Sequence, residues 1–412
     1  MIAHRRGETV IEFDEACELI FENTSRLGTE ERLIESAIGC VLAQDVVSPI
    51  DVTPFRNSAM DGFAIKSQWL RECSTDNPRE VPISSTLFAG DSAADHVDDR
   101  HAVKVMTGTR VPDRFDAVVP FEETDYADDE VRFFKPAVPG QHIREAGEDI
   151  ACGQKLYTKE TKLGQLDIGV LAAIGLRSVM TYRKPSIMII ATGDELTDPG
   201  DKLADNRIYD SNTYTILSLV APYCDRAERI SRLPDREKEL RHVLLSSHDV
   251  IVTSGGVSAG ERDLVVDIAE SCGWQRVFHK VRIKPGKPVY FAVREKQVLF
   301  GLPGNPLSAA VTCSVFLIPA LKKMAGLADY RLCPKPAKLV PEAIRKSGRK
   351  LIWPGFIREE AGRTVVRFSP KKSSAALTAL LGTDGLIIQD ATDGGPGEVI
   401  VKAIPWSHIL KL

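Results

Sequence analysis

Apolar and polar positions follow a regular pattern in the middle of the chain. From Pro185 onward, short apolar runs such as SIMIIA, DVIVTS and PVYFAV alternate with amphipathic segments such as SNTYTILSLVAPY and DREKELRHVLLSS. Short apolar runs are typical of buried strands, whereas apolar residues spaced three to four apart are typical of helices. Because strands that alternate with helices form parallel sheets, the pattern predicts an α/β unit over residues 184–328, with a mostly parallel sheet and helices on both faces.

The part of the chain before this unit has a different pattern. Apolar residues at helical spacing predict three helices, over residues 13–28, 30–39 and 163–174. Between the second and the third, β-like runs such as VKVMTG, AVVPF and EVRFF are separated by Pro and Gly. We therefore predict that residues 1–50 and 146–183 form a helical and extended scaffold into which a β-rich unit, residues 51–145, is inserted.

The last part of the chain, residues 329–412, again consists of short β-like runs. They are separated by Gly-rich turns such as DGGPGE. Many short strands with such turns are typical of small barrels and sandwiches. We predict a small β domain here, similar to a barrel.

One stretch has the composition of a membrane span. No charged residue occurs from Val298 to Leu321, and a membrane-spanning helix needs about 20 apolar residues. The sequence PGNP interrupts this stretch and leaves residues 307–321, which are few for a bilayer. We predict a buried helix and no membrane association.

Composition and charge narrow the function further. The 412 residues include 53 basic and 57 acidic side chains, a net charge of −4. No overall positive field attracts nucleic acid, so we expect no nucleic-acid partner. The eight cysteines include no C-x-x-C pair, and the N-terminus has no apolar signal-like stretch. We expect reduced thiols and a cytoplasmic location.

Charged residues follow several strands of the predicted sheet. Gly193, Asp194 and Glu195 come directly after SIMIIA, and Asp263 ends the loop SGGVSAGERD after DVIVT. Ligands bind outside the carboxyl ends of parallel strands, where such loops meet. Asp and Glu are also common at the starts of helices. Each loop alone is therefore consistent both with a ligand site and with an ordinary helix start.

Two further loops favour a ligand. IKPGKP places Lys284 and Lys287 on a tight turn, and GLPGNPLSA is a rigid turn that leads directly into a helix. Carboxylates bind hard cations, and lysines bind phosphates. Together the loops predict a site for a phosphorylated ligand with Mg²⁺.

Other catalytic motifs are absent or poorly supported. Neither G-x-G-x-x-G nor G-x-x-x-x-G-K-[ST] occurs, and no H-E-x-x-H predicts a zinc site. Residues 256–260 match the G-x-S-x-G pattern of serine hydrolases, with Ser258 at the position of the nucleophile. No HGGG-type loop precedes it, and only His279 and His408 follow it. We interpret Ser258 as a hydroxyl donor to a bound anion or as a turn former.

The set of motifs resembles one known family. In chain order the motifs are TPFRNSAMDGFAI, REAGEDI, ATGDEL, YDSN, SGGVSAGERD, KPGKP and GLPGNPLSA. They are similar to those of molybdopterin molybdenumtransferases, the family of MoeA and of the gephyrin E domain. The resemblance extends from about residue 10 to residue 405.

This resemblance implies a fold and a reaction. The fold would comprise a composite N-terminal region, a molybdopterin-binding α/β domain and a C-terminal β domain, assembled as an elongated homodimer. In the reaction, adenylylated molybdopterin and molybdate give molybdenum cofactor and AMP, with Mg²⁺ required. Further partners would be the molybdopterin-adenylylating enzyme and apo-molybdoenzymes.

The resemblance also implies roles for charged residues of this sequence. Glu195 and Asp263 would bind Mg²⁺ or the phosphates that it bridges. Lys284 and Lys287 would hold anionic oxygens of the nucleotide or of the incoming oxyanion.

A second group of residues would complete the site. Asp61 and Asp149 would be catalytic groups that reach the cleft from the N-terminal region of the second subunit, together with Arg144. The substrate pocket would be formed by Gly193, Asp194, Ser211, Asn212, Ser254, Gly255, Gly256, Ser258, Pro303 and Asn305.

The sequence departs from the family pattern in its last domain. Pro354 stands where an arginine is expected in an F-x-R-G turn, and Ser373 or Ser374 matches an expected serine only loosely. In the family, that arginine and serine are associated with oxyanion binding. Either Arg349 or Lys350 substitutes from close by, or the loop alignment has slipped. The alternative function is that of a pterin-binding paralogue, or of a scaffold protein, without efficient metal insertion.

Overall fold

The structure, a computed structural model, describes residues 10–91, 100–233, 237–257, 264–340, 347–391 and 399–410. Within them the strands form three larger sheets and four two-stranded ribbons. Short 3₁₀ helices lie at Ile34–Ser36, Ser67–Leu70, Phe121–Glu123, Ala221–Tyr223 and Leu377–Leu380.

Short strands and two helices build the N-terminal part. The helices are α1 (Phe13–Glu22) and α2 (Gln165–Ala173). The strands are β1 (Thr29–Leu33), β2 (Val46–Val47), β3 (Asn57–Ser58), β4 (Gly62–Ile65), β5 (Arg79–Leu87), β6 (Ala102–Val105), β7 (Ala117–Pro120), β8 (Glu130–Phe133), β9 (Ile143–Arg144), β10 (Lys155–Tyr157) and β11 (Ser178–Tyr182). β1 pairs with β11 and β2 with β10, whereas β7, β4, β6, β5 and β8 form a separate sheet in that order. The exact domain boundaries stay a prediction.

Two of the three helices predicted for the N-terminal part are present. α1 and α2 confirm the helices expected over residues 13–28 and 163–174, although both are shorter. The helix expected over residues 30–39 is wrong, because β1 and a 3₁₀ turn occupy that stretch. Exposed and half-buried residues alternate along β1, so its pattern has the two-residue period of a strand.

The central part is an α/β unit with a six-stranded sheet. Its strands and ribbons are β12 (Ser186–Thr192), β13 (Leu196–Thr197), β14 (Ile208–Tyr209), β15 (Arg226–Leu233), β16 (Val250–Ser254), β17 (Gln275–His279), β18 (Ile283–Lys284), β19 (Tyr290–Arg294) and β20 (Gln297–Leu302). Its first three helices are α3 (Asn212–Val220), α4 (Glu237–Leu244) and α5 (Leu264–Ser271). The sheet order is β15, β12, β16, β20, β19, β17. Buried side chains of α3 pack on one face of the sheet and those of α4 and α5 on the other.

The sheet is mixed but mostly parallel, as predicted, and its antiparallel part lies at one edge. β15, β12, β16 and β20 are parallel, but β19 pairs antiparallel with both β20 and β17. Parallel neighbours need a long crossover, usually a helix. Only the two residues Glu295 and Lys296 join β19 to β20, and the connection from β17 to β19 contains no helix. The α/β fold class itself is confirmed.

The charge-free stretch forms a strand and a helix. After β20 the chain continues as α6 (Pro306–Thr312), a π-helical segment (Cys313–Leu317) and α7 (Ile318–Met324). This 19-residue helix is long and apolar enough to cross a membrane by length and composition alone, but 94% of its most apolar window is buried inside the protein. The prediction of a buried helix is confirmed.

A closed β-barrel forms the C-terminal part. Its elements are β21 (Lys335–Leu339), β22 (Lys350–Glu360), β23 (Arg363–Phe368), β24 (Gly385–Gln389), β25 (Val399–Pro405) and α8 (Trp406–Ile409). The order β22, β23, β21, β25, β24 closes because β24 also pairs with β22. β18 of the α/β unit pairs with the first residues of β22 and so connects the two units. The turn DGGPGE lies outside the described residues.

Candidate active site

A cleft of about 880 Å³ lies where β12, β16 and β20 end. The turns that follow these strands form its floor, together with the start of α3 and the loop between β18 and β19. Residues of the barrel close its other side. The cleft therefore lies at the carboxyl ends of the parallel strands, where the sequence predicted a ligand.

The turn after β12 positions a carboxylate in the cleft. Gly193 is buried with φ +140°, a conformation that L side chains rarely adopt. A Cβ atom at this position would lie 2.5 Å from Oε2 of Glu195, so the Glu195 carboxylate lies directly over the glycine. Glu195 lines the cleft, whereas Gly193 and Asp194 do not.

The turns after β16 and β20 are tied together beside α3. Asn212 donates from Nδ2 to Oγ of Ser254 at 2.9 Å and to the carbonyl oxygen of Gly304 at 2.8 Å. The Gly255 amide donates to the carbonyl oxygen of Leu302 at 3.0 Å, so this amide is not free to bind an anion. Gly255 has φ +89° and Gly256 φ +69°, which explains the glycine pair in SGGV.

Asp210 fixes the start of α3. This buried carboxylate accepts hydrogen bonds from the amide of Thr213 at 3.1 Å and from the Thr213 hydroxyl. Arg229 lies 3.7 Å from the same carboxylate. Asp210 therefore caps the helix and holds Ser211 and Asn212 at the edge of the cleft.

Both predicted lysines line the cleft. Lys284 is the last residue of β18, opposite Leu351 of the barrel, and Lys287 follows three residues later. The backbone of Lys287 is tied down, because the amide of Val281 donates to its carbonyl oxygen at 2.9 Å. Both side chains are exposed, as groups that meet a ligand must be.

The barrel adds two more cations. Arg349, directly before β22, and Lys372, in the loop after β23, both line the cleft. Ser374 from the same loop accepts a hydrogen bond from Nδ2 of Asn305 at 3.1 Å, and its carbonyl oxygen accepts one from the amide of Leu307 at 3.1 Å. This loop is therefore held against the PGNP turn.

The structure decides between the two residues expected to replace the missing arginine. Pro354 is buried in β22 opposite Leu386 and does not line the cleft. Lys350 is held by Asp14 at 2.8 Å and by Asp390 at 3.2 Å, so it is not the replacement. Arg349 lines the cleft and Lys350 does not.

The cleft carries an excess of positive charge. Lys284, Lys287, Arg349 and Lys372 have no ion-pair partner among the residues that the structure describes. Of the carboxylates that line the cleft in the described part, Asp210 is engaged by Arg229 and by the start of α3, which leaves Glu195. Clefts lined by one sign of charge concentrate ligands of the opposite sign, so the site favours a polyanion.

Three predicted site residues lie elsewhere in the single chain. Asp61, Arg144 and Asp149 are exposed, and none of them lines the cleft. Asp61 accepts hydrogen bonds from the amide of Thr107 at 2.6 Å and from its hydroxyl at 2.8 Å, and these bonds lower its pKa. Their contribution from a second subunit stays a prediction.

Two other predicted residues, Ser258 and Asp263, lie outside the described residues. The nearest candidate base for a serine hydrolase, His279, lies in β17, and its Nε2 is 3.1 Å from the carbonyl oxygen of Val257. Because a carbonyl oxygen only accepts, this nitrogen is the donor and is already engaged.

Sequence reasoning missed several residues that line the cleft. Among them are Ile208, Tyr209, Trp353 and Lys372. Tyr209 belongs to the motif YDSN, which could have drawn attention to it. For Trp353 and Lys372 no signal was available, because their place depends on how the barrel packs against the α/β unit.

The described residues contain no group of three or more His, Cys, Asp or Glu side chains that could hold a metal ion alone. Mg²⁺ is often held by one or two carboxylates together with substrate phosphates. Glu195 provides one carboxylate inside a cleft that favours anions. The residues present fit Mg²⁺ in that restricted sense, with the ligand supplying the remaining oxygens.

Comparison with known proteins agrees with the geometry. A model of the MoeA N-terminal region (domains I and II) matches residues 11–175, and a model of a probable molybdopterin binding domain matches residues 188–323. A molybdopterin molybdenumtransferase of Haemophilus influenzae is 32% identical over 391 residues, which cover 93% of this chain and 95% of that protein. The chain belongs to the molybdopterin molybdenumtransferase family.

Further relatives support this family assignment. Gephyrin of Dictyostelium discoideum is 33% identical over 76% of this chain and 49% of its own length. A crystal structure of a MoeA protein from Pyrococcus horikoshii has a TM-score of 0.78 and 27% identity, covering 97% of this chain and 99% of that one. The predicted family, fold class and enzyme type are thus confirmed, and the family places the chain in molybdenum cofactor biosynthesis.

Proposed function

We propose that the chain inserts molybdenum from molybdate into adenylylated molybdopterin in this cleft and releases AMP. The observation that supports the proposal most is the set of four cations that line the cleft without ion-pair partners among the described residues. The nucleotide-linked pterin carries two phosphates, and molybdate is itself an anion. Two anionic substrates repel each other unless positioned cations reduce that repulsion.

The bond that breaks is the phosphoanhydride between the pterin phosphate and AMP, and an oxygen atom of water forms the new bond to the pterin phosphorus. Its cleavage needs positioned charge rather than a covalent intermediate on the protein. Lys284 and Lys287 hold the phosphate oxygens, and their charge stabilises the negative charge that develops on the leaving AMP. Asn212 holds the turns after β16 and β20 in place through Ser254 and Gly304, so this side of the pocket keeps a fixed geometry.

Glu195, together with Asp263, would hold Mg²⁺. The ion supplies further charge stabilisation at the phosphates when it is bound. Gly193 keeps the Glu195 carboxylate in its place, because any larger residue would push it aside.

Molybdate would be held where the barrel meets the α/β unit. Arg349 and Lys372 supply the charge that the family pattern places on the arginine replaced by Pro354, and Ser374 supplies a hydroxyl group. The two cations and the hydroxyl group favour efficient metal insertion over the alternative, a paralogue that has lost this activity.

A homodimer would complete the site. α2 is mostly apolar, with Gln165 and Asp167 as its polar side chains, yet Leu171 is its only buried residue, and Leu166 is 89% exposed. An apolar helix normally lies in an interior. A second copy of this chain would cover α2, and it would also supply Asp61, Arg144 and Asp149, which the cleft of one chain lacks.

The experiment is an assay of the purified protein with adenylylated molybdopterin, Mg²⁺ and molybdate. We expect stoichiometric release of AMP and a product that activates an apo-molybdoenzyme. Substitution of Asp263 or of Lys287 by Ala should abolish AMP release in a protein that still folds. Tight binding of the pterin without any release of AMP would instead indicate the scaffold function.

A further inference from the structure

The ring of Tyr209 is exposed at the edge of the cleft. Tyr209 ends β14 and is 45% exposed, and its neighbour Ile208 is 59% exposed. Both line the cleft. Large apolar side chains left open at one place often mark a binding surface.

Tyr209 differs from the two other strongly exposed tyrosines of the described residues. The ring of Tyr126 is covered by Phe121, at 4.8 Å between centroids, and by Lys104 at 4.4 Å. The ring of Tyr214 is covered by Arg229 at 4.1 Å. No aromatic ring or cation in the described part of the chain stacks on Tyr209. Tyr209 is 45% exposed and therefore lacks the aromatic or cationic cover that the other two rings have.

The ring is also held rigidly. The Tyr209 hydroxyl donates to the carbonyl oxygen of Asp201 at 3.1 Å, so the side chain presents its ring rather than its hydroxyl group. Two backbone hydrogen bonds hold the β13–β14 ribbon together. The amide of Ile208 donates to the carbonyl oxygen of Glu195, and the amide of Asp210 donates to the carbonyl oxygen of Thr197, both at 2.9 Å. Rigid aromatic side chains bind ligands at a low cost in conformational entropy.

The position of the ring complements that of the cations. The ribbon follows β12, whereas the PGNP turn and the barrel loop lie beyond the end of β20, two strands away. Two strand spacings amount to about 10 Å. A ligand with a planar ring at one end and anionic oxygens at the other matches this arrangement of an apolar and a cationic end.

We propose that Tyr209 is a stacking platform that positions a planar heteroaromatic ring of the substrate, either the adenine or the pterin. The inference rests on the proposed function, since it assumes that the cleft holds the nucleotide-linked pterin. Stacking against an aromatic side chain does not depend on the identity of the ring, because every such ring has a π face.

The test measures binding of three probes by calorimetry: AMP, neopterin and inorganic pyrophosphate. The variants are Tyr209→Ala and Tyr209→Phe, with Tyr126→Ala as a matched control on an exposed tyrosine outside the cleft. Tyr209→Ala should weaken AMP or neopterin binding about tenfold. Tyr209→Phe keeps the ring and should bind like the wild type, and pyrophosphate binding should stay unchanged in all three variants.

The outcomes separate the inference from the proposed function. Weakening of AMP alone assigns the platform to adenine, and weakening of neopterin alone assigns it to the pterin. If the wild type binds the ring probes and Tyr209→Ala binds them equally well, the platform is refuted while the proposed function stands. If the wild type binds none of the three probes, the proposed function itself fails.

Discussion

In the proposed function, single side chains would hold the oxyanion in the cleft. Pro354 removes the arginine that the family pattern leads one to expect, while Arg349 and Lys372 bring two cations to the cleft. We expect Arg349→Ala and Lys372→Ala each to raise the KM for molybdate about tenfold or more, as typical for the loss of a hydrogen bond to a charged group. Lys371→Ala is the matched control, because Lys371 is exposed next to Lys372 and does not line the cleft. Equal KM values in all three variants would rule out an oxyanion site at the barrel.

The glycine beneath Glu195 allows a second test at the scale of one residue. A Cβ atom on Gly193 would meet the Glu195 carboxylate, so Gly193→Ala should displace that carboxylate and lower the rate of AMP release about a hundredfold, as the loss of one positioned group typically does. Gly200→Ala controls for backbone strain. Gly200 also has positive φ, +101°, but a Cβ atom there meets nothing within 4 Å. If AMP release slows equally in both variants, backbone strain causes the loss rather than displacement of the Glu195 carboxylate.

Much of the candidate site could be predicted from single residues, but not all of it. Glu195 closely follows β12, and Lys284 and Lys287 lie in the connection between β17 and β19, so the order of the chain is enough to bring them near the sheet. Lys372 and Trp353 reach the cleft only because a separate barrel packs there. No pattern within one segment reports such a contact between units.

At the scale of elements, the sequence predicts strands and helices better than it predicts their pairing. The runs that form β12, β16 and β19 are predicted, and so is the helix that follows β20. β20 itself was read as part of a charge-free stretch, and the antiparallel β19–β20 hairpin was missed. Its turn, Glu295 and Lys296, contains neither Gly nor Asn-Gly, the usual signals of a tight hairpin.

An ion pair ties the starts of two parallel strands and gives a prediction about pH. Asp249, directly before β16, accepts hydrogen bonds from Arg183 at 2.7 and 2.8 Å and from the amide of Ser186 in β12 at 2.8 Å. Burial raises the pKa of Asp249, but the bonds from Arg183 and Ser186 outweigh burial and lower the pKa to about 2. A carboxylate whose pKa is lowered by folding stabilises the fold above its unfolded pKa, and this contribution is lost as the pH falls through the folded value.

We therefore expect Asp249→Asn to lower the free energy of unfolding by about 2 kcal/mol at neutral pH. The difference from the wild type should shrink between about pH 4 and pH 2, where the wild-type carboxylate takes up a proton. Denaturant unfolding across this range measures it, with Asp76→Asn, at an exposed carboxylate, as the control. A difference that does not change with pH would contradict the role assigned to the ion pair.

At the scale of the whole molecule, the cleft of one chain lacks three groups that the family pattern implies. If Asp149 acts in the cleft of the second subunit, a mixture of Asp149→Ala and Lys287→Ala chains should regain activity. Each mixed dimer then contains one intact site, so about a quarter of the wild-type activity should return after random exchange in a two-fold symmetric dimer.

Leu166→Glu in both chains should prevent this recovery, because it places a charge on the apolar face of α2. No recovery in the mixture, despite confirmed exchange of subunits, would place both groups in one chain's site.

The most direct test of the account is the rate of AMP release from adenylylated molybdopterin in a single turnover, compared between the wild type and the double variant Lys284→Ala/Lys287→Ala. Both lysines are exposed, so the fold should persist, which circular dichroism can verify. Removal of the two charges should slow release by at least about a hundredfold, because positioned charge provides the stabilisation of the transition state. A folded double variant that releases AMP at the wild-type rate would contradict the central claim that the cations of this cleft drive the reaction.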